Sequence, residues 1–109
     1  MSLIDKIRKA RETTIELNGK TWTVRRPTDE EATQFGSSGL LDLVKRFVVG
    51  WELVELDIIP GGGPEKVKFD SELWAEWVAD QPEVWEPLGS AILEAYKAHA
   101  DKRDATLKN

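Results

Sequence analysis

The sequence predicts an α+β fold, mainly α, with an N-terminal β-hairpin packed on a small bundle of four to five helices. Three observations predict it. Two alternating runs rich in Thr, Ile and Val, Thr13 to Leu17 and Thr21 to Arg25, flank Asn18-Gly19. Apolar residues recur at spacings of three and four from Leu40 to Trp51 and again from Leu88 to His99, the period of an amphipathic helix. Three of the five Trp residues fall between Val48 and Val78, which marks that stretch as the packing centre, because large aromatic side chains dominate core energetics.

Ser2 is positioned to cap a first helix, with Leu3, Ile4, Ile7 and Ala10 on its stripe and Lys6, Arg8 and Lys9 off it. Short basic amphipathic helices lie on membranes in some proteins. This stripe is small, and packing on the domain is the expectation. Asn-Gly supplies the two positive-φ positions of a type I′ turn, so Thr13–Leu17 and Thr21–Arg25 should pair, with Trp22 and Val24 on one face. Thr28 and Glu31 form a Thr-x-x-Glu capping box, opening a brief helix that Gly36-Ser37-Ser38-Gly39 stops as a flexible joint.

Leu40 to Trp51 reads as one helix, with Trp51 and Gly50 in its last turn. Pro60, Gly61-Gly62-Gly63 and Pro64 exclude regular structure and read as a mobile connecting loop. Val67 and Phe69 alternate with lysines in a short extended piece. Asp70 or Ser71 should cap a helix whose face is Leu73, Trp74, Trp77 and Val78. Pro82 to Glu86 reads as a single turn, with Pro87 opening the last helix, about Pro87 to Lys102. Asp101 to Asn109 is polar and expected to fray.

The 109 residues are expected to form one domain, 1–109. There is no Cys, so neither disulfides nor thiolate ligands are available. The net charge of −5 is uneven: residues 1–28 carry +4, residues 29–94 carry −11 and residues 95–109 carry +2. An acidic centre argues against nucleic acid as a partner, since phosphate binding needs Lys and Arg. No apolar run approaches the ~20 residues of a membrane-spanning helix, and no signal-peptide pattern is present, so a soluble cytosolic protein without membrane partners is expected.

Catalytic chemistry is sparse. His99 is the one histidine. With Tyr96 one turn away it could form an acid–base pair, but such pairs more often pack or cap a terminal helix. Asp29-Glu30-Glu31 is accounted for by its helix start, and Glu52-x-x-Glu55-x-Asp57 lacks the density and glycine of a calcium loop. No enzyme activity, metal or cofactor is expected. Trp51 and Trp74 read as core; Trp85, between two prolines, reads equally as core or as an interface anchor.

Val48-Val49-Gly50-Trp51-Glu52 resembles the Val-x-Gly-Trp signature of tail assembly chaperones from long-tailed bacteriophages and prophages. In that family a variable loop, a Pro-Val-x-Phe-type segment and a helix opening with Asp or Ser follow. Pro64-Glu65-Lys66-Val67-Lys68-Phe69-Asp70-Ser71 is similar, with two extra residues between Pro and Val. Ala91 to Tyr96 looks like the family's last helix. The resemblance spans roughly Val48 to His99. It implies a non-enzymatic protein of the host bacterial cytoplasm that binds the tape-measure protein, helps recruit tail-tube subunits and is absent from the mature virion. Val49, Gly50, Trp51, Phe69 and Asp70 are then motif residues with structural roles. A chaperone should expose an apolar patch, expected at Trp85, Leu88 and Tyr96, possible to cover by homo-oligomerisation. The alternatives are a structural virion component, such as a head–tail connector subunit, and an acidic inhibitory module that mimics DNA.

Overall fold

A computed structural model describes residues 1–34 and 39–108. The fold is α+β and mainly α. In chain order it runs α1 (Leu3–Lys9), β1 (Glu12–Leu17), β2 (Lys20–Arg25), α2 (Asp29–Ala32), α3 (Leu40–Phe47) and β3 (Val48–Trp51). Then come β4 (Leu53–Val54), α4 (Glu55–Ile58), β5 (Lys66–Val67), α5 (Ser71–Val78) and α6 (Pro82–Lys108). The expected Gly36-Ser37-Ser38 joint lies outside the described residues.

The hairpin forms as its turn chemistry requires. Asn18 and Gly19 both have positive φ, 54° and 75°, and Leu17 pairs with Lys20 across the turn. The hairpin is also part of a larger sheet, of order β1-β2-β3. The third strand comes from the residues expected to end a long helix. α3 stops at Phe47, because Val48 leaves helical geometry at φ −84°, ψ 123°. Two β-branched residues and a glycine are poor helix formers, and the free edge of β2 gives their backbone groups partners. Val48 still accompanies the α3 stripe into the core, which is why helical spacing runs past the true helix end. Trp51 faces Trp22 across the strands and Gly50 faces Thr23, while Val24 faces Val48. The register therefore skips Val49, a one-residue bulge of the kind that bends a strand. A side chain on Gly50 would meet Thr23 Cβ at 3.2 Å.

The core lies between this sheet and α3, α5 and α6. Val24, Val44, Trp74, Val78, Leu88 and Ile92 are fully buried. The Trp74 indole N–H donates to the carbonyl oxygen of Val44 at 3.0 Å, fixing α5 to α3. Gly89 lets α6 approach α3 closely, since a Cβ there would run into Leu40 Cδ1. Trp51 is buried and stands edge-on to Trp74 at 5.9 Å and to Trp77 at 6.0 Å between ring centres, and its own N–H donates to the Val67 carbonyl at 2.8 Å.

Three further expectations are corrected. The glycine loop is an ordered part of the structure. Leu56 N donates to Gly63 O and Gly62 N to Ile59 O, each at 3.0 Å, and Glu55 N donates to Glu65 O. A Cβ on Gly62 would lie 2.8 Å from the Glu55 backbone, so glycine is needed there for close approach rather than for freedom. Secondly, α6 is continuous through Pro87. Proline removes one N–H and crowds the carbonyl four residues back, but that residue, Glu83, is in the first turn and exposed like Pro87 itself. Thirdly, residues 101–108 are helical, with Arg103 tied to Asp29. Among the described residues no helix is long and apolar enough to cross a membrane.

Candidate interaction surface

Of the motif residues, Trp51 is buried, Val49, Gly50 and Phe69 are half-buried, and Asp70 is exposed at its helix start. Trp51 packs edge-on to Phe69 with ring centres 4.9 Å apart. The Asp70 carboxylate accepts from Glu72 N and Leu73 N, both at 2.9 Å, and caps α5. Trp22, Trp51, Trp74 and Trp77 lie within 6.4 Å of one another, centre to centre, in each of the pairs they form. Their positions follow from three unrelated elements, β2, β3 and α5, meeting at one point.

The patch expected at Trp85, Leu88 and Tyr96 does not form. Leu88 is fully buried. Trp85 is half-buried and its N–H donates to the Val78 carbonyl at 2.8 Å. The Tyr96 hydroxyl donates to Asp29 Oδ1 at 3.0 Å. Trp85 and Leu88 share the stripe of α6 that carries Ile92, and the core takes that part of it, whereas Tyr96 lies beyond the core at Asp29.

Exposed apolar residues occur instead on α1. Leu3, Ile4 and Ile7 are 73%, 60% and 48% exposed, and no residue of the helix is buried. Ser2 caps it as expected, its Oγ accepting from Asp5 N at 3.1 Å, but the expected packing on the domain is absent. Sequence periodicity found this stripe and misplaced its partner. Leu56 and Ile59 beside the glycine loop are exposed as well.

Beside α1 lies an open cleft of about 440 Å³, walled by Arg8, Arg11, Arg25 and Arg46 and by Glu12, Glu30 and Glu31 among others. Its floor is an ordered charge node. Arg25 donates to both oxygens of Glu31, at 2.8 and 2.9 Å; Arg46 Nη2 donates to Oε2 at 2.9 Å. The capping box adds Thr28 N to Oε1 at 2.9 Å, returned by Glu31 N to Thr28 Oγ1 at 3.1 Å. The hydrogen bonds from Arg25, and then from Thr28 N, hold the Glu31 carboxyl at about 2 against the opposing effect of burial. Both guanidiniums also sit over the Phe47 ring, at 4.5 and 5.3 Å, a cation–π arrangement.

No family model, curated protein or solved structure matches the chain.

A second node joins α2 to the far half of α6. Asp29 accepts from Tyr96 and from Arg103 Nη1 at 2.6 Å, and His99 Nε2 lies 3.4 Å from its other oxygen. Arg103 first, then Tyr96, holds the Asp29 carboxyl at about 2. The Tyr96–His99 pair is thus brought to an exposed carboxylate that fastens one helix to another. Among the described residues no group of three His, Cys, Asp or Glu side chains could hold a metal ion.

Proposed function

We propose that this chain is a non-enzymatic tail assembly chaperone of a long-tailed bacteriophage or prophage. It would act in the bacterial cytoplasm, bind the tape-measure protein, help recruit tail-tube subunits and leave before the virion is complete. The observation that carries the reading is the ordered run Val48-Val49-Gly50-Trp51, Phe69-Asp70-Ser71 and Ala91 to Tyr96. The geometry supports it by giving each residue type a physical reason: a glycine where β3 passes Thr23, a tryptophan where three elements meet, an aspartate at a helix start. Exposed apolar side chains on an ordered helix fit a protein whose work is to bind another.

The test is co-expression of the cognate tape-measure protein with and without this chain. The tape-measure protein should be soluble with it and aggregate alone, and the two should co-elute in gel filtration. A tape-measure protein equally soluble alone, with no complex, refutes the reading; recovery of the chain in purified virions would favour a structural component instead.

A further inference from the structure

We propose that α1 and the arginine cleft beside it form one docking surface for an acidic amphipathic helix of a partner protein. The apolar half of the surface is Leu3, Ile4 and Ile7, on one side of α1. A helix of seven residues is marginal in water by itself, and α1 buries none of its residues. A partner covering its stripe would supply the missing burial.

The charged half sets the sign of the partner. Arg8, one residue beyond Ile7 on α1, and Arg11, just after the helix, line the cleft. Arg25 and Arg46 in the same cleft are engaged by Glu31, whereas Arg8 and Arg11 make no ion pair among the described residues. Burial first and the charge of Arg11 second hold the Arg26 guanidinium below its ordinary value, with Asp29 and Tyr96 opposing. Guanidinium groups bind carboxylates through paired, planar hydrogen bonds. Lys6 and Lys9 add positive charge on the remaining sides of α1.

A discrete carboxylate suits this place better than a polyanion. Glu12, Glu30 and Glu31 line the same cleft and would oppose a continuous phosphate surface, whether lipid or nucleic acid. A helix is the matching shape because Leu3 to Ile7 is one turn long, about 6 Å of rise, and presents a compact apolar knob for a groove between partner side chains. For the expectation that the partner is helical, the inference rests on the chaperone reading.

The experiment titrates the full chain with a synthetic amphipathic peptide bearing a Leu stripe flanked by Glu, and with the same stripe flanked by Lys. The Glu peptide should bind, more weakly as salt rises, and the Lys peptide should not. Arg8→Glu combined with Arg11→Glu should weaken binding by about tenfold or more, as should Ile4→Asp with Ile7→Asp. Circular dichroism should show both double variants folded, because neither touches a buried residue. Equal binding of the two peptides, no binding, or indifference to both double variants overturns the proposal. So does binding to phosphatidylserine vesicles without binding to the Glu peptide, which would assign the surface to a membrane. No phage protein is used, so failure here leaves the co-expression result standing, and failure of co-expression leaves peptide binding standing.

Discussion

α1 and the β3–α5 region carry the same kind of sequence signal and meet opposite fates. Both have apolar residues spaced for one face. In β3 and α5 those residues close on one another, and Trp51, Trp74 and Val78 are buried. In α1 they remain in solvent. The difference is what stands opposite: β2 offers Trp22 and an unpaired edge to β3, while α1 faces an open, charged cleft. A stripe thus reports the capacity for burial, and its surroundings decide whether the chain itself uses it.

The comparison predicts a descending series of stability effects. Trp51→Ala should cost about 3–5 kcal/mol, the range for a buried aromatic, since it empties the meeting point of β2, β3 and α5 and removes the bond to Val67. Urea unfolding measures it; a loss under ~1 kcal/mol would show that the cluster packs loosely.

Between the two regions stands the Glu31 node. Glu31→Gln should cost about 1–2 kcal/mol at neutral pH, as expected for charge-assisted hydrogen bonds that are partly screened. The folded value of Glu31 is depressed from 4.5 to about 2. Its contribution is therefore complete above 4.5 and is lost as pH falls from there towards about 2. The gap between wild type and Glu31→Gln should narrow across that window; a gap independent of pH would mean that shape, not charge, makes the node.

Ile4→Asp should change stability by under ~0.5 kcal/mol, since the residue buries nothing within the chain. A melting temperature that falls as far as for Trp51→Ala would place α1 in the core and erase the contrast.

Local chemistry made much of this fold legible. Asn18-Gly19 specified its turn, Thr28 with Glu31 its capping box, and Asp70 its helix start, because each acts within four residues. The α3–β3 boundary was not legible, since Val48 is buried whether it ends a helix or begins a strand, and the choice depends on a strand edge some twenty-five residues earlier in the chain. The loop's order rests on Glu55 reaching Gly63 and Glu65, which composition does not reveal. At the candidate surface, Arg8, Arg11 and the α1 stripe were visible as residues, but their exposure depends on what fails to cover them. Trp85 and Leu88 do not stand out as an exposed patch, because a stripe that serves the core reads in sequence the same as one that serves a partner.

The indole cluster also gives the molecule a built-in optical label, unevenly distributed. Trp22 and Trp77 lie nearly parallel, 10° between planes, with Trp51 close to perpendicular to both. Transition dipoles this close couple, so the cluster should give an exciton band in circular dichroism and pool its emission by energy transfer. That emission reports the integrity of β2, β3 and α5. α1 contains no aromatic residue and is spectroscopically silent, so an event there would pass unseen by intrinsic fluorescence unless it reached the core.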